Sequence, residues 1–399
     1  MLKILSIVLS LLFILPNNQP LNNEIDALNL FSKNYIVYNY ESDQVLASKD
    51  ADIRLQAASI NKVLTTITII DSLAEIPLDQ EVIVQATSLN KVPIEASKAS
   101  LFVGQKLSVK ELLYAIILPS GSDAIAVLSD FIFADQAALV KAMNAKATEI
   151  GMDNTNIVNI FGLDDKTQYT SLEDLLKLVK YALKNEVFSD VYGMETYNFI
   201  NNPKLQIENK SLTQAKDLNF NYMYGAKSGY TVAAQRALSS YAGNEDLSYI
   251  LITTGAKTGP NLTSYAVNDA VKVYNYLFDN YHIKDLSQTE VSNQVKVKWR
   301  LQPVKLKHNV NLEAAINDKI NLEEISFESV YQEDLKAPLQ KGQVIGKDIF
   351  TYQDEVIFEK DIILDKSIGI GLTYKIILLL LIISISWITY KILKNLIRK

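Results

Sequence analysis

From Ile376 to Tyr390 the chain reads IILLLLIISISWITY without a single charged residue, and no other stretch limits its fold so strongly. Carried back to Ile368, with the Lys375 stem able to reach outward, the run attains the roughly 20 apolar residues that a membrane-crossing helix needs. Lys391, Lys394, Arg398 and Lys399 follow at once, and such a basic flank marks the cytoplasmic side. The sequence therefore predicts a transmembrane helix over 368–390 and a basic cytoplasmic tail over 391–399. The remainder is expected on the extracytoplasmic side of a cell membrane. The other end agrees: Lys3, the apolar run Ile4 to Leu15 and the break Pro16, Asn17, Asn18 have the form of a signal peptide over 1–20.

At 399 residues, with 48% of them hydrophobic, the chain can build more than one average domain. A net charge of −6 leaves no basic stripe to neutralise phosphates, which argues against nucleic acid as a partner. Cysteine is absent, removing disulfides, thiolate metal sites, a cysteine nucleophile and a lipoprotein anchor. His282 and His308 are the only histidines, too few for a histidine-rich zinc site.

Between the ends, Lys33 to Ser48 reads as two short strands about a polar turn. A helix is predicted over Ser59–Leu73, free of Gly and Pro. A second runs from Val109 to Leu118, is interrupted by Pro119, Ser120, Gly121 and Ser122, and resumes from Ala124 to Phe131. Further helices are expected over Ala137–Ile150, Leu172–Leu183 and Asn268–Phe278, and strands over Gln235–Tyr241 and Ser248–Thr254. Strands near both ends with helices between them imply one sheet whose early and late strands meet around a helical insert. Past residue 285 the texture changes. Val295, Val297, Trp299 and Leu301 alternate with Lys296, Lys298 and Arg300, the period of a half-buried strand. Residues 286–366 are accordingly expected to form a small all-β, sandwich-like domain.

A serine hydrolase built on a histidine base would have to use His282 or His308. A lysine base is the other solution. Ser59, Ile60, Asn61 and Lys62 spell S-x-x-K at a helix start, and a spacing of three puts both side chains on one helix face. The helix start also offers free N–H groups to a developing oxyanion. Alone, S-x-x-K equally describes a capping serine followed by a solvated lysine. Its company decides: Ser120, Gly121, Ser122 follow about 60 residues on, and Lys227, Ser228, Gly229 about 105 residues beyond, the order of the three motifs of penicillin-recognising serine enzymes.

With these motifs the chain resembles the low-molecular-mass penicillin-binding proteins, D-alanyl-D-alanine carboxypeptidases of peptidase family S11. The segments VGQKLSVKELLYAIILPSGSDAIAVLSD, GMDNTNIVNIFGLDD, YGAKSGYTVAAQRAL and APLQKGQVIG carry the likeness, over roughly residues 33 to 365. It implies an α/β fold of the serine β-lactamase/DD-peptidase kind over 21–285, a mainly antiparallel sheet flanked by helices with a helical subdomain holding Ser120. It also implies removal of the terminal D-alanine from peptidoglycan stem peptides ending in D-Ala-D-Ala, and acylation by β-lactam antibiotics, with no cofactor and no metal. By the same likeness Ser59 attacks the penultimate D-Ala carbonyl, Lys62 takes its proton and Ser120 relays a proton to the leaving amine. Lys227 supplies a second cation and attracts the substrate carboxylate. The N–H groups of Ser59 and Tyr230 form the oxyanion hole, Ser228 keeps the motif's hydroxyl, and Gly229 lets substrate lie along the strand edge. A second spelling, Lys257, Thr258, Gly259, matches K-T-G letter for letter but lacks the flanking likeness and is set aside.

Several positions depart from the family. Ser122 stands where an asparagine contacts lysine and substrate, Ser228 replaces threonine, and Val232 replaces a frequent acid. Lys210 and Leu262 occupy positions where relatives bind the substrate carboxylate with arginine, and a lysine offers a point charge without the bidentate fork. These changes leave open a catalytically weak wall-binding or scaffold protein. A β-lactamase would need a water-activating carboxylate beside the acyl group, whereas residues 151–165 resemble the carboxypeptidases.

Overall fold

A computed structural model describes residues 22–260 and 263–397; the signal peptide expected over 1–20, and Leu262, lie outside the described residues. The chain divides into two compact units between Ile283 and Lys284.

The first unit is organised by a five-stranded antiparallel sheet in the order Gln44–Lys49, Asn34–Asn39, Ser248–Ala256, Gln235–Gly243, Met223–Thr231. Early and late strands meet where Ile36 pairs with Ile252 and Tyr38 with Ile250. Ser248–Ala256 is buried on both faces, which is why it reads as a nearly continuous apolar run. On one face its Ile250 and Ile252 join a large helical core. On the other, Tyr249 meets Phe278 of helix Tyr265–Asn280, and Ser240 bonds Tyr274 of the same helix at 2.8 Å. Helices thus cover both faces, as the sequence led us to expect.

The helix Lys62–Asp71 lies in the middle of the helical core, buried at every position from Lys62 to Ile70. Its threonines Thr65, Thr66 and Thr68 are buried along with its apolar residues, so the helix is enclosed on every side. Val109–Ile117 starts at a capping box, Ser108 Oγ accepting from the Glu111 N–H and the Glu111 carboxylate from the Ser108 N–H. Gln136–Ile150 ends at Gly151 in the left-handed conformation.

The second unit carries the antiparallel pair Gln288–Val295 and Val304–Val310 and the three-stranded sheet Ser326–Tyr331, Val344–Tyr352, Glu355–Ile363. Two apolar clusters fill it, one around Phe350 and Phe358 and one around Val295, Val297 and Leu339. The strand expected to run through Leu301 stops at Val295. Val297 stays buried, but Trp299 takes a φ of 72° and the chain turns, leaving Trp299 and Leu301 exposed. The alternation was real; a left-handed residue broke it.

The apolar C-terminal helix spans Leu372–Ile397, and Leu372–Asn395 is long and apolar enough to cross a membrane. It begins four residues later than the sequence suggested, because Ile368 exchanges backbone hydrogen bonds with Leu339 and belongs to the β-rich unit. It also runs on through Lys391 and Lys394.

Candidate active site

Ser59 sits in a single 3₁₀ turn, Ala58–Asn61, that leads into the buried helix Lys62–Asp71. Ala58 before it has a φ of 47°, a left-handed conformation that costs a non-glycine residue roughly 1–2 kcal/mol. Such strain, held by its surroundings, is a property of functional turns. Two neighbours hold this one. A Cβ on Gly162, itself at φ 73°, would stand 2.4 Å from the Ala58 carbonyl oxygen, and a Cβ on Gly229 would stand 2.5 Å from the Ser59 nitrogen. Both glycines therefore let backbone press directly on the serine turn.

The Lys62 amine donates to Ser59 Oγ at 2.9 Å and to the Phe161 carbonyl at 2.8 Å. Only 1% of Lys62 is exposed, and burial pushes its amine down from 10.5 to about 7, against the opposing pull of the Asp123 carboxylate. Lys227, equally buried, is held well below the ordinary lysine range by burial and then by the charge of Lys62. Two ammonium groups in one dry site cannot both keep their protons cheaply, so the pair can hold a neutral amine near neutral pH. The Lys227 amine also donates to the Ser228 carbonyl at 2.8 Å.

The strand Met223–Thr231 forms the sheet edge beside this turn. Ser228 and Gly229 are half-buried and Tyr230 is exposed, with the Arg236 guanidinium 5.1 Å over its ring. Arg236 also donates to Thr258 Oγ1 at 3.0 Å. Lys257, Thr258 and Gly259 follow the strand Ser248–Ala256, two places inward from the edge, so it is Lys227–Gly229 that lies against Ser59. Lys210 opens helix Lys210–Asp217 as an exposed cation. The preceding Asn209 amide ties that helix start to the edge strand through the Ala226 carbonyl at 2.8 Å.

Ser120 and Ser122 lie where helix Val109–Ile117 gives way to Ser122–Ile132. Ser120 has a φ of 63°, and its buried hydroxyl finds no hydrogen-bond partner among the described residues. Ser122, expected to contact substrate, opens helix Ser122–Ile132; it is wholly buried, and its hydroxyl also meets no partner among the described residues. The next residue, Asp123, was missed from sequence. Its buried carboxylate accepts from the Ala99, Leu101 and Ala124 N–H groups at 2.8, 3.0 and 3.1 Å and sets part of the charge felt by Lys62. A carboxylate adjoining the motif, in a segment otherwise apolar, was its only signal.

Neither histidine partners Ser59; His308 bonds Asp348 within the β-rich unit. Among the described residues no cluster of three His, Asp or Glu side chains could hold a metal ion. The arrangement is a hydroxyl beside a neutralised, enclosed amine, against a strand edge able to align an extended peptide.

The comparisons with known proteins fall on the same parts of the chain. Residues 21–258 match the family model described as D-alanyl-D-alanine carboxypeptidase, and residues 302–369 match that of the penicillin-binding protein 5 C-terminal domain. The D-alanyl-D-alanine carboxypeptidase DacF of Bacillus subtilis is 26% identical over 339 residues, 83% of this chain and 84% of that protein. DacC of Escherichia coli, of the same description, is 25% identical over 87% of this chain and 86% of its own length. The crystal structure of penicillin binding protein 5 from Haemophilus influenzae, 22% identical, superposes with a TM-score of 0.65 over 85% of this chain and 98% of that one, a likeness of fold.

Proposed function

This chain belongs to the D-alanyl-D-alanine carboxypeptidase family, and we propose that Ser59 is its nucleophile and Lys62 the base that activates it. It is a serine-type D-Ala-D-Ala carboxypeptidase, a hydrolase of peptidoglycan stem peptides and a binder of β-lactams. The observation that carries the assignment of Ser59 is the 2.9 Å contact from a buried lysine amine held near neutrality.

The reaction follows from that contact. Ser59 Oγ attacks the carbonyl carbon of the penultimate D-Ala while its proton passes to the Lys62 amine. The oxyanion is met by the N–H groups of Ser59 and Tyr230. The amide C–N bond then breaks as its nitrogen takes the proton from the Lys62 ammonium through Ser120, whose hydroxyl meets no partner among the described residues, and D-alanine leaves with Lys62 neutral again. Water, deprotonated by Lys62, attacks the acyl ester, releases the shortened peptide and restores the Ser59 hydroxyl. Lys210 offers the substrate carboxylate a point charge, Lys227 and Ser228 offer it hydrogen-bond donors, and Gly229 keeps the edge open for the peptide backbone. In a β-lactam the same attack opens the ring and leaves the acyl group on Ser59.

The apolar helix fits a membrane anchor. We place the catalytic domain on the extracytoplasmic side, on the strength of Lys391 and Lys394 beyond the span. The proposed division is a signal peptide over 1–20, catalytic domain 21–285, β-domain 286–366 and cytoplasmic tail 391–399. The weak-homologue alternative rested on Ser122, and the Ser59–Lys62 contact is made without it. Mass spectrometry of the full chain after benzylpenicillin, with mapping of the modified peptide, tests the assignment. A single adduct on Ser59 is expected, and an adduct elsewhere, or none on folded protein, would sink it.

A further inference from the structure

In the β-rich unit the chain between the last strand and the apolar helix is tied down at nearly every step. The Leu364 N–H donates to Gln343, the Lys341 N–H to Ser367 Oγ, and Ile368 and Leu339 bond one another twice at 2.9 Å. Ile368 and Ile370 pack on the apolar cluster of the unit. Arg300 then donates to the Gly369 carbonyl at 2.8 Å, and the Gly371 N–H donates to the Trp299 carbonyl at 3.0 Å. The helix starts at the next residue, and its Tyr374 lies 6.2 Å from the Trp299 ring, centroid to centroid. No free stalk separates the Trp299 turn from the helix.

That connection fixes the level of the turn along the helix. Leu372–Asn395 is 24 residues, which at about 1.5 Å each gives roughly 36 Å, longer than the ~30 Å hydrocarbon core of a bilayer. The excess of roughly 6 Å gives the first helical turn, and Trp299 beside Tyr374, room in the headgroup layer. The opposite end carries a matching arrangement, Lys391 stacking over Trp387 at 3.9 Å and Lys394 over Tyr390. Tryptophan and tyrosine favour both interfacial layers because their rings are amphipathic.

Trp299 and Leu301, 47% and 67% exposed, project from a turn with no folding role that would require their exposure. Lys298 is paired with Asp334, and the Arg300 guanidinium, still a cation, is held to the Gly369 carbonyl. Trp299 and Leu301 are thus apolar side chains set between basic ones, a combination suited to a headgroup layer. We propose that the turn Lys298–Leu301 is a membrane-seating element. Trp299 and Leu301 enter the phospholipid headgroup layer beside the chain's own helix and hold the β-rich unit against the bilayer. The proposal rests on the reading of that helix as a span, and its occupant is the interfacial lipid of the same membrane.

The chain has two tryptophans, which makes the test direct. Full-length Trp387→Phe protein, in which Trp299 alone emits, is placed in nanodiscs of phosphatidylcholine and phosphatidylglycerol, with and without acyl chains brominated near the headgroup. Trp299→Phe protein, which reports Trp387, runs alongside. Seating predicts bromolipid quenching of both tryptophans and loss of Trp299 access to iodide. Quenching of Trp387 with Trp299 unquenched and open to iodide would overturn the proposal and leave the span intact. Absence of quenching at both would remove the span and the proposal together.

Discussion

The amine of Lys62 is the group whose behaviour the structure ties most tightly to chemistry, so pH is the sharpest perturbation. A solvated lysine at 10.5 is neutral in about three molecules per ten thousand at pH 7, whereas one lowered to about 7 is neutral in about half, a gain of roughly 1,500-fold in available base. Acylation by benzylpenicillin, followed as a second-order rate by stopped-flow or intact mass, is therefore predicted to rise along an acid limb centred near pH 7. Between pH 8 and pH 5 the rate should fall roughly 90-fold, with the limb belonging to the Lys62–Lys227 pair as a unit. Lys62→Arg puts a permanently charged guanidinium beside Ser59, and should cost about 10²–10⁴ in rate with no limb in this range. Stability shows the same shift with a definite sign. Between about pH 7 and 10.5 the folded chain binds fewer protons at this site than the unfolded one, so the site's contribution rises with pH across that window, by on the order of 5 kcal/mol in all. A rate that is flat from pH 5 to 8, or that rises only above pH 9, would refute the reasoning.

Other perturbations follow from the same geometry. Asp123→Asn removes the carboxylate that holds the Lys62 amine up, so the acid limb should move to lower pH. The change should also cost roughly 1–3 kcal/mol through its three backbone donors, read as a fall in urea midpoint. Gly229→Ala would drive a methyl group to 2.5 Å from the Ser59 nitrogen, and should lower acylation by roughly 100-fold with a stability loss of about 1–3 kcal/mol. Ser122→Ala deletes a hydroxyl that makes no hydrogen bond among the described residues. Stability should stay within about 1 kcal/mol and acylation within about threefold, and a loss of ten-fold or more would show that Ser122 contacts substrate after all.

Much of the fold was legible because local signals were strong and agreed with the tertiary outcome. The break at Pro119–Ser122 marks a helix end that the structure keeps, and the helices expected over Val109–Leu118 and Ala137–Ile150 are found as Val109–Ile117 and Gln136–Ile150. Short elements were not legible. Helix Glu186–Gly193 and the hairpin Thr196–Phe199 with Asn202–Glu208 have too few residues for a period to emerge. The strand expected through Leu301 failed because alternation reports side-chain chemistry and not the backbone angle at Trp299. In the site, Ser59 and Lys62 were legible through the company of Ser120–Ser122 and Lys227–Gly229 in order behind them, since their spacing alone describes a capping serine equally well. Asp123, the Phe161 carbonyl and Gly162 did not: each acts on the Ser59 turn from a distant segment, a relation made only by folding.

The central claim is that this chain removes D-alanine through Ser59. The most direct measurement is D-alanine release from a muramyl pentapeptide ending in D-Ala-D-Ala, by the full-length protein and its Ser59→Ala variant in the same membrane preparation. The account predicts steady release by the first and none above background by the second. Release that survives in Ser59→Ala, or that is absent from wild-type protein still acylated by penicillin, would contradict it.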